Sequence, residues 1–246
     1  KKENKFSVFE KILTVICGYI IFPILISLPY YFSIYNVSLI DSYFEAVSGF
    51  TSTGFTVFEN IRHLDESIII WRSTSQWVGG VYFLFSIILL IDIFDSTLKK
   101  SFTEFISFNF VETLKQYFKI LIIYSILTLL IFFVLSLINL RIFDSFNLSL
   151  SIISSGGFLP VDQIDSLFDT DVKKILFSFT MLISFFSLFL LFNLFLFKFK
   201  KHKFFIEDFH LLIFLIISVV IFFIFLNYDR NFVHTFTSIV TSISNI

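Results

Sequence analysis

The chain has 246 residues, 57% of them hydrophobic and only 15% charged, with 40 Phe and a formal net charge of -1; its mean hydropathy is +0.90. That leaves too little polar material to cover a water-soluble globule, and the near-zero charge excludes a basic nucleic-acid binder. The lone Cys17 excludes an internal disulfide framework or a Cys-rich zinc site, and His63, His202, His210 and His234 have no ligand spacing.

The first charge-free stretch runs from Ile12 to Ile40. It exceeds the ~20 apolar residues that cross ~30 Å of hydrocarbon, so Pro29 with Tyr30, Tyr31 and Tyr35 is expected to mark its interfacial end. Next comes AVSGFTSTGFTVF (46–58), apolar yet too short to span. Further spans are expected over 73–91, 120–140, 175–197 and 209–228, each free of Lys, Arg, Asp and Glu. A second short apolar segment, SFNLSLSIISSGGFLPV (145–161), lies between the third and fourth spans. A signal peptide would explain one of these segments and leave the others. The chain begins Lys1-Lys2-Glu3 and its only methionine is Met181, which points to a fragment or a processed chain.

Charge sets the expected orientation. With the N-terminus cytoplasmic, 12 of the 18 basic residues fall inside, among them Lys99, Lys100 and the run from Lys198 to Lys203. Acidic residues lean outward, 11 of 19, which fits either ordinary loop solvation or a vestibule that attracts cations. Arg72, beside Trp71 and before Gln76-Trp77, reads as an interfacial snorkelling anchor within an aromatic belt. Asn193 in the fourth span reads as an interhelical hydrogen-bonding residue.

The two short segments match one another. At an offset of 103, Asp41-Ser42 pairs with Asp144-Ser145, Ser48 with Ser151, Thr51 with Ser154, Ser52 with Ser155, Gly54 with Gly157 and Phe55 with Phe158. The expected architecture is an all-α integral membrane protein of repeated helix–pore-loop–helix units, two complete and a third cut short. The expected boundaries are 6–97, 98–203 and 204–246. In the third unit FVHTFTSIVTSISNI aligns at an offset of 193, Val240 with Val47, Thr241 with Ser48, Ser244 with Thr51 and Asn245 with Ser52. Small residues collect where backbone must pack closely: Gly49, Gly54, Gly156, Gly157 and the single alanine, Ala46, lie in the short segments, and Gly79-Gly80 in the second span.

Non-helical backbone at membrane depth persists where protein or a water-filled cavity satisfies it. A short helix followed by a glycine-containing strand can turn carbonyl oxygens toward a common axis, and a ring of such oxygens can replace the water shell of an alkali cation. The negative C-terminal end of the helix favours a cation as well. One segment supplies one side of a ring, so about four are needed. An integral-membrane enzyme would need convergent acids, bases or metal ligands near the spans, whereas the carboxylates stand at span ends and no His/Cys cluster exists. The chain is therefore not expected to be an enzyme.

The runs SYFEAVSGFTSTGF (42–55) and WRSTSQWVGG (71–80) resemble the first repeat of the Trk/Ktr/HKT superfamily of potassium transporters, especially its bacterial Trk-type translocating subunit. SIISSGGF (151–158) resembles the second repeat's filter, and EDFHLL (207–212) the start of the third repeat. The resemblance implies a pseudo-fourfold pore of four such repeats in a multi-pass protein of the bacterial inner (plasma) membrane. It implies a selectivity filter at Thr51, Ser52, Thr53, Gly54 and Phe55 and at Ser154, Ser155, Gly156, Gly157 and Phe158. Potassium would meet the backbone carbonyls of Thr51, Ser52, Thr53, Ser154, Ser155 and Gly156, as substrate, with no cofactor. In this family a glycine at the position of Gly54 goes with potassium preference. Membership also implies a homodimer and a cytosolic nucleotide-binding regulatory subunit. The family pattern further includes two helices before the first repeat, an intramembrane gate and arginine in the third, and a fourth repeat. Two other functions are consistent with the residues: a non-conducting half that assembles with a separate second half, and transport of another monovalent cation such as sodium.

Overall fold

The computed structural model describes residues 7–94, 110–162, 164–168, 170–185, 204–225 and 232–244. Regular structure among them is helical throughout: α1 (Val8–Ser33), α2 (Leu39–Phe50), α3 (Glu66–Phe94), α4 (Phe110–Leu137), α5 (Ile142–Ile153), α6 (Asp171–Phe185), α7 (Phe204–Phe225) and α8 (Phe232–Ser244). Two short 3-10 turns, Ile61–His63 and Ile164–Leu167, precede α3 and α6. The expected unit boundaries near 97 and 203, Asn193 and the run from Lys198 to Lys203 lie outside the described residues.

Helix α1 opens on a capping box. The Glu10 N–H donates to Ser7 Oγ at 3.2 Å, and the Ser7 N–H donates to Glu10 Oε2 at 2.8 Å. The helix then runs on through Pro23 and Pro29 to Ser33. Pro29 is therefore interior and not the interfacial end expected of it. Neighbouring α2 and α3 cover this region, and packing holds the helix where a proline alone would weaken it. Tyr30 is likewise fully buried, its ring 6.2 Å from that of Phe58, while Tyr35 is exposed.

Helices α1 and α4 carry stretches long and apolar enough to cross a membrane, Val8–Ser33 and Tyr117–Leu137. Phe9, Ile16, Leu25, Ile122, Leu129 and Phe133 on these helices are exposed, as expected of a surface turned toward lipid. Helices α2 and α5 have 12 residues each, which gives ~18 Å at 1.5 Å per residue, too short to cross. Both are held inside the bundle. Ala46 and Phe50 of α2 are buried with Ile26 and Tyr30 of α1 and Ile68 of α3. Leu148 and Ile152 of α5 join Leu127 and Ile131 of α4 and Phe177 and Met181 of α6.

In lipid, apolar contact alone does not drive helices together, so close backbone approach and polar contacts carry more of the packing. Gly79 supplies the closest approach, because a Cβ there would run into the Phe50 carbonyl at the end of α2. That carbonyl is backbone and cannot swing aside. The glycine therefore sets how near α3 comes to α2.

Candidate functional site

The last turns of α2 and α5 end in the same backbone motif. At the first, the Ser52 N–H donates to the Gly49 carbonyl at 3.0 Å and the Thr53 N–H to the Ser48 carbonyl at 2.9 Å. At the second, the Ser155 N–H donates to the Ile152 carbonyl at 3.0 Å and the Gly156 N–H to the Ser151 carbonyl at 2.9 Å. Ser52 and Ser155 take φ of 53° and 50°. These are Schellman closures with a left-handed residue just past the cap. Glycine is the usual residue at such a reversal, yet the reversal falls two residues before Gly54 and Gly157, at serines. The paired 6→1 and 5→2 bonds require the left-handed residue at that position, whichever side chain stands there. Gly54 has a positive φ, 84°, and Gly157 does not.

The offset of 103 extends further than these turns. It relates left-handed Asn36 (φ 65°) to Asn139 (φ 60°), both ends of α2 to those of α5, and the start of one 3-10 turn to that of the other. Each strand leaving a turn is tied back by a hydroxyl: Ser48 Oγ donates to the Phe55 carbonyl at 2.5 Å and Ser151 Oγ to the Phe158 carbonyl at 2.6 Å. A second hydroxyl closes each helix from within. Thr51 Oγ1 donates to the Val47 carbonyl at 2.7 Å, Ser154 Oγ to the Leu150 carbonyl at 2.9 Å, and Ser244 Oγ in α8 to the Val240 carbonyl at 2.7 Å. Asn245 lies outside the described residues.

The two strands meet. A Cβ built on Gly54 would sit 2.5 Å from the Gly157 Cα, so the strand over Thr51, Ser52, Thr53, Gly54 and Phe55 adjoins that over Ser154, Ser155, Gly156, Gly157 and Phe158. Their surroundings differ. Phe55 is 69% exposed, whereas Phe158 is 1% exposed, because α3 lies behind the second strand.

Arg72 of α3, read from sequence as an interfacial anchor, stands behind these strands instead. Arg72 is buried at 1% exposure and pairs with fully buried Glu45, Nε to Oε1 at 2.8 Å. Its Nη2 donates to Thr56 Oγ1 at 3.0 Å, and the guanidinium lies 4.2 Å from the centre of the Phe158 ring. Glu45 also accepts from Thr56 Oγ1 and the Val57 N–H, both at 3.0 Å. The reading of Arg72 as a snorkelling anchor is thus overturned: a buried carboxylate supplies what interfacial water would have supplied. Trp71 and Trp77 donate their indole N–H groups to the Ile26 carbonyl and Thr128 Oγ1, each at 3.0 Å, fixing α3 to α1 and α4.

Gln76, one turn along from Arg72, is fully buried. Its carboxamide is satisfied at both ends in one orientation: Nε2 donates to Ser151 Oγ at 2.6 Å, and Oε1 accepts from the Gly157 N–H at 3.1 Å and the Phe158 N–H at 2.9 Å. Sequence reasoning missed Glu45 and Gln76. The available signal was the spacing of Arg72, Gln76, Gly79 and Gly80, which puts polar and small residues on one face of a span. Beyond the strands, the Ile61 N–H donates to Asp162 Oδ1 at 2.7 Å, joining the two following loops.

No protein-family profile matches the chain. It is 34% identical over 136 residues to an uncharacterized cation transporter of Methanocaldococcus jannaschii, covering 53% of this chain and 28% of the relative. It is 25% identical over 194 residues to the Trk system potassium uptake protein TrkH of Escherichia coli, covering 75% of this chain and 40% of that protein. Among solved structures, the potassium transporter TrkH of Vibrio parahaemolyticus superposes with a TM-score of 0.81 at 20% identity, over 99% of this chain and 51% of that one. The chain thus spans about half or less of the length of the proteins it matches. In sequence it is similar to the Trk system potassium uptake proteins, and its fold is that of about half of TrkH.

Proposed function

We propose that this chain forms part of the ion path of a potassium transporter in the cytoplasmic membrane. The carrying observation is the meeting of two matching strands at Gly54 and Gly157, each issuing from the C-terminal end of a short buried helix. Those helix ends carry partial negative charge toward the strands, and the strands supply carbonyl oxygens at Thr51, Ser52 and Thr53 and at Ser154, Ser155 and Gly156. Such oxygens can take the place of a cation's water shell. The names of the Trk relatives favour potassium over another monovalent cation. About four strands close a ring, and the exposed flank at Phe55 is where a further segment would seat. Assembly as a homodimer, with a cytosolic nucleotide-binding regulatory subunit and a cytoplasmic N-terminus, belongs to the same reading.

The test is Gly54→Ser in the full-length protein, with potassium and sodium uptake measured in uptake-deficient cells. A side chain at Gly54 meets both a positive φ and the Gly157 backbone, so the strand must shift. The potassium-to-sodium ratio should fall about tenfold, the equivalent of ~1.4 kcal/mol of discrimination. A variant that transports with undiminished selectivity would defeat the proposal.

A further inference from the structure

From the bonding of Gln76 we infer that this residue is a specificity-determining positioning residue, orienting the carbonyls of the second filter strand from behind. The inference rests on the potassium-transport reading above. In a trans peptide the N–H and C=O point in opposite directions. The Gly157 N–H belongs to the same peptide as the Gly156 carbonyl, and the Phe158 N–H to the same peptide as the Gly157 carbonyl. Because Gln76 Oε1 accepts both N–H groups, at 3.1 and 2.9 Å, both carbonyls are directed away from α3. The Gly156 carbonyl is one of the oxygens assigned to potassium.

The carboxamide cannot rotate without loss, since its Nε2 is committed to Ser151 Oγ at 2.6 Å. That hydroxyl is itself committed to the Phe158 carbonyl at 2.6 Å. Gly156 is matched to this arrangement, because a Cβ there would strike the Gln76 carboxamide. The position equivalent to Gln76 at the 103 offset is Phe179, which is apolar and exposed. The geometry makes Gln76 more than packing: it fixes two successive peptide planes, the first of which carries the Gly156 carbonyl assigned to the ion.

The experiment uses the full-length protein in proteoliposomes and reads potassium and sodium uptake separately. Gln76→Ala admits water to the freed N–H groups and releases the peptide planes, so the potassium-to-sodium ratio should fall about tenfold. Gln76→Glu, protonated in this dry site, keeps an acceptor for both N–H groups and an O–H toward Ser151, and should hold the ratio within about threefold of wild type. If Q76A does not accumulate in the membrane, Q76N makes the same comparison, its side chain being one methylene too short to reach both groups. A Q76A or Q76N protein whose total uptake falls while its ratio stays within about twofold has lost only packing, and that result overturns the inference. Wild-type protein without potassium preference overturns the transport reading itself, and this inference with it.

Discussion

Glu45 and Arg72 form an ion pair with almost no exposure to solvent, and each also bonds to Thr56. Water would have to be stripped from both charges to build this pair. Their mutual attraction therefore offsets desolvation more than it adds stability, but losing one partner leaves the other stranded. Glu45→Gln should cost about 3–5 kcal/mol, seen as a marked drop in thermal unfolding temperature in detergent. A double variant, Glu45→Leu with Arg72→Met, should be less damaged than the single one, because no buried charge remains. An E45Q protein that melts with wild type would show that water reaches Arg72 after all. The pair was not legible in the sequence for a physical reason. Charges delimit apolar spans, so Glu45 and Arg72 each read as an edge, and nothing in their separation along the chain shows that two edges neutralise each other in the interior. Gly54 and Gly157 were legible because few other residues tolerate such close backbone contact.

At the scale of elements, α2 and α5 were recognisable as short buried helices from length and repetition. Their 12 residues cannot cross a bilayer, and hydroxyls recur at matched positions within them. What the repetition could not show is that the two copies are supported differently. Ser48 and Ser151 make the same bond to the strand that follows, yet Ser151 also accepts from Gln76 and is fully buried. Ser151→Ala should therefore cost about 1–3 kcal/mol, since it leaves the Phe158 carbonyl and one Gln76 N–H without partners in a dry site. Ser48→Ala should cost less, because it removes the bond to the Phe55 carbonyl without also stranding an amide donor. Comparing the two melting temperatures measures the asymmetry directly, and equal losses would count against α3 as the source of the difference.

For the molecule as a whole, the balance of Lys and Arg predicts the N-terminus inside, and the fold then commits every other element. On that prediction helix α1 would lead outward to the turn at Asn36, α2 and α5 would begin on the outer side, and both strands would return toward it. The joined loops at Ile61 and Asp162 would then lie beyond those strands on the same side. If the chain were inverted, the same strands would open toward the cytoplasm and the outward lean of acidic residues would have no bearing on cation entry. Cys17 provides the one competing thiol and is replaced by Ser for the measurement. In that background, Asn36→Cys should react with a membrane-impermeant maleimide applied to intact cells, since Asn36 is exposed in the loop after α1. Ser7→Cys, at the exposed start of α1, should react only after the membrane is opened. The reverse pattern would turn the protein over: the positive-inside assignment would fail while the packing of Gly54 against Gly157 would stand. Orientation depends on charges outside the bilayer and the meeting of the strands on contacts within it, so labelling tests the first without disturbing the second.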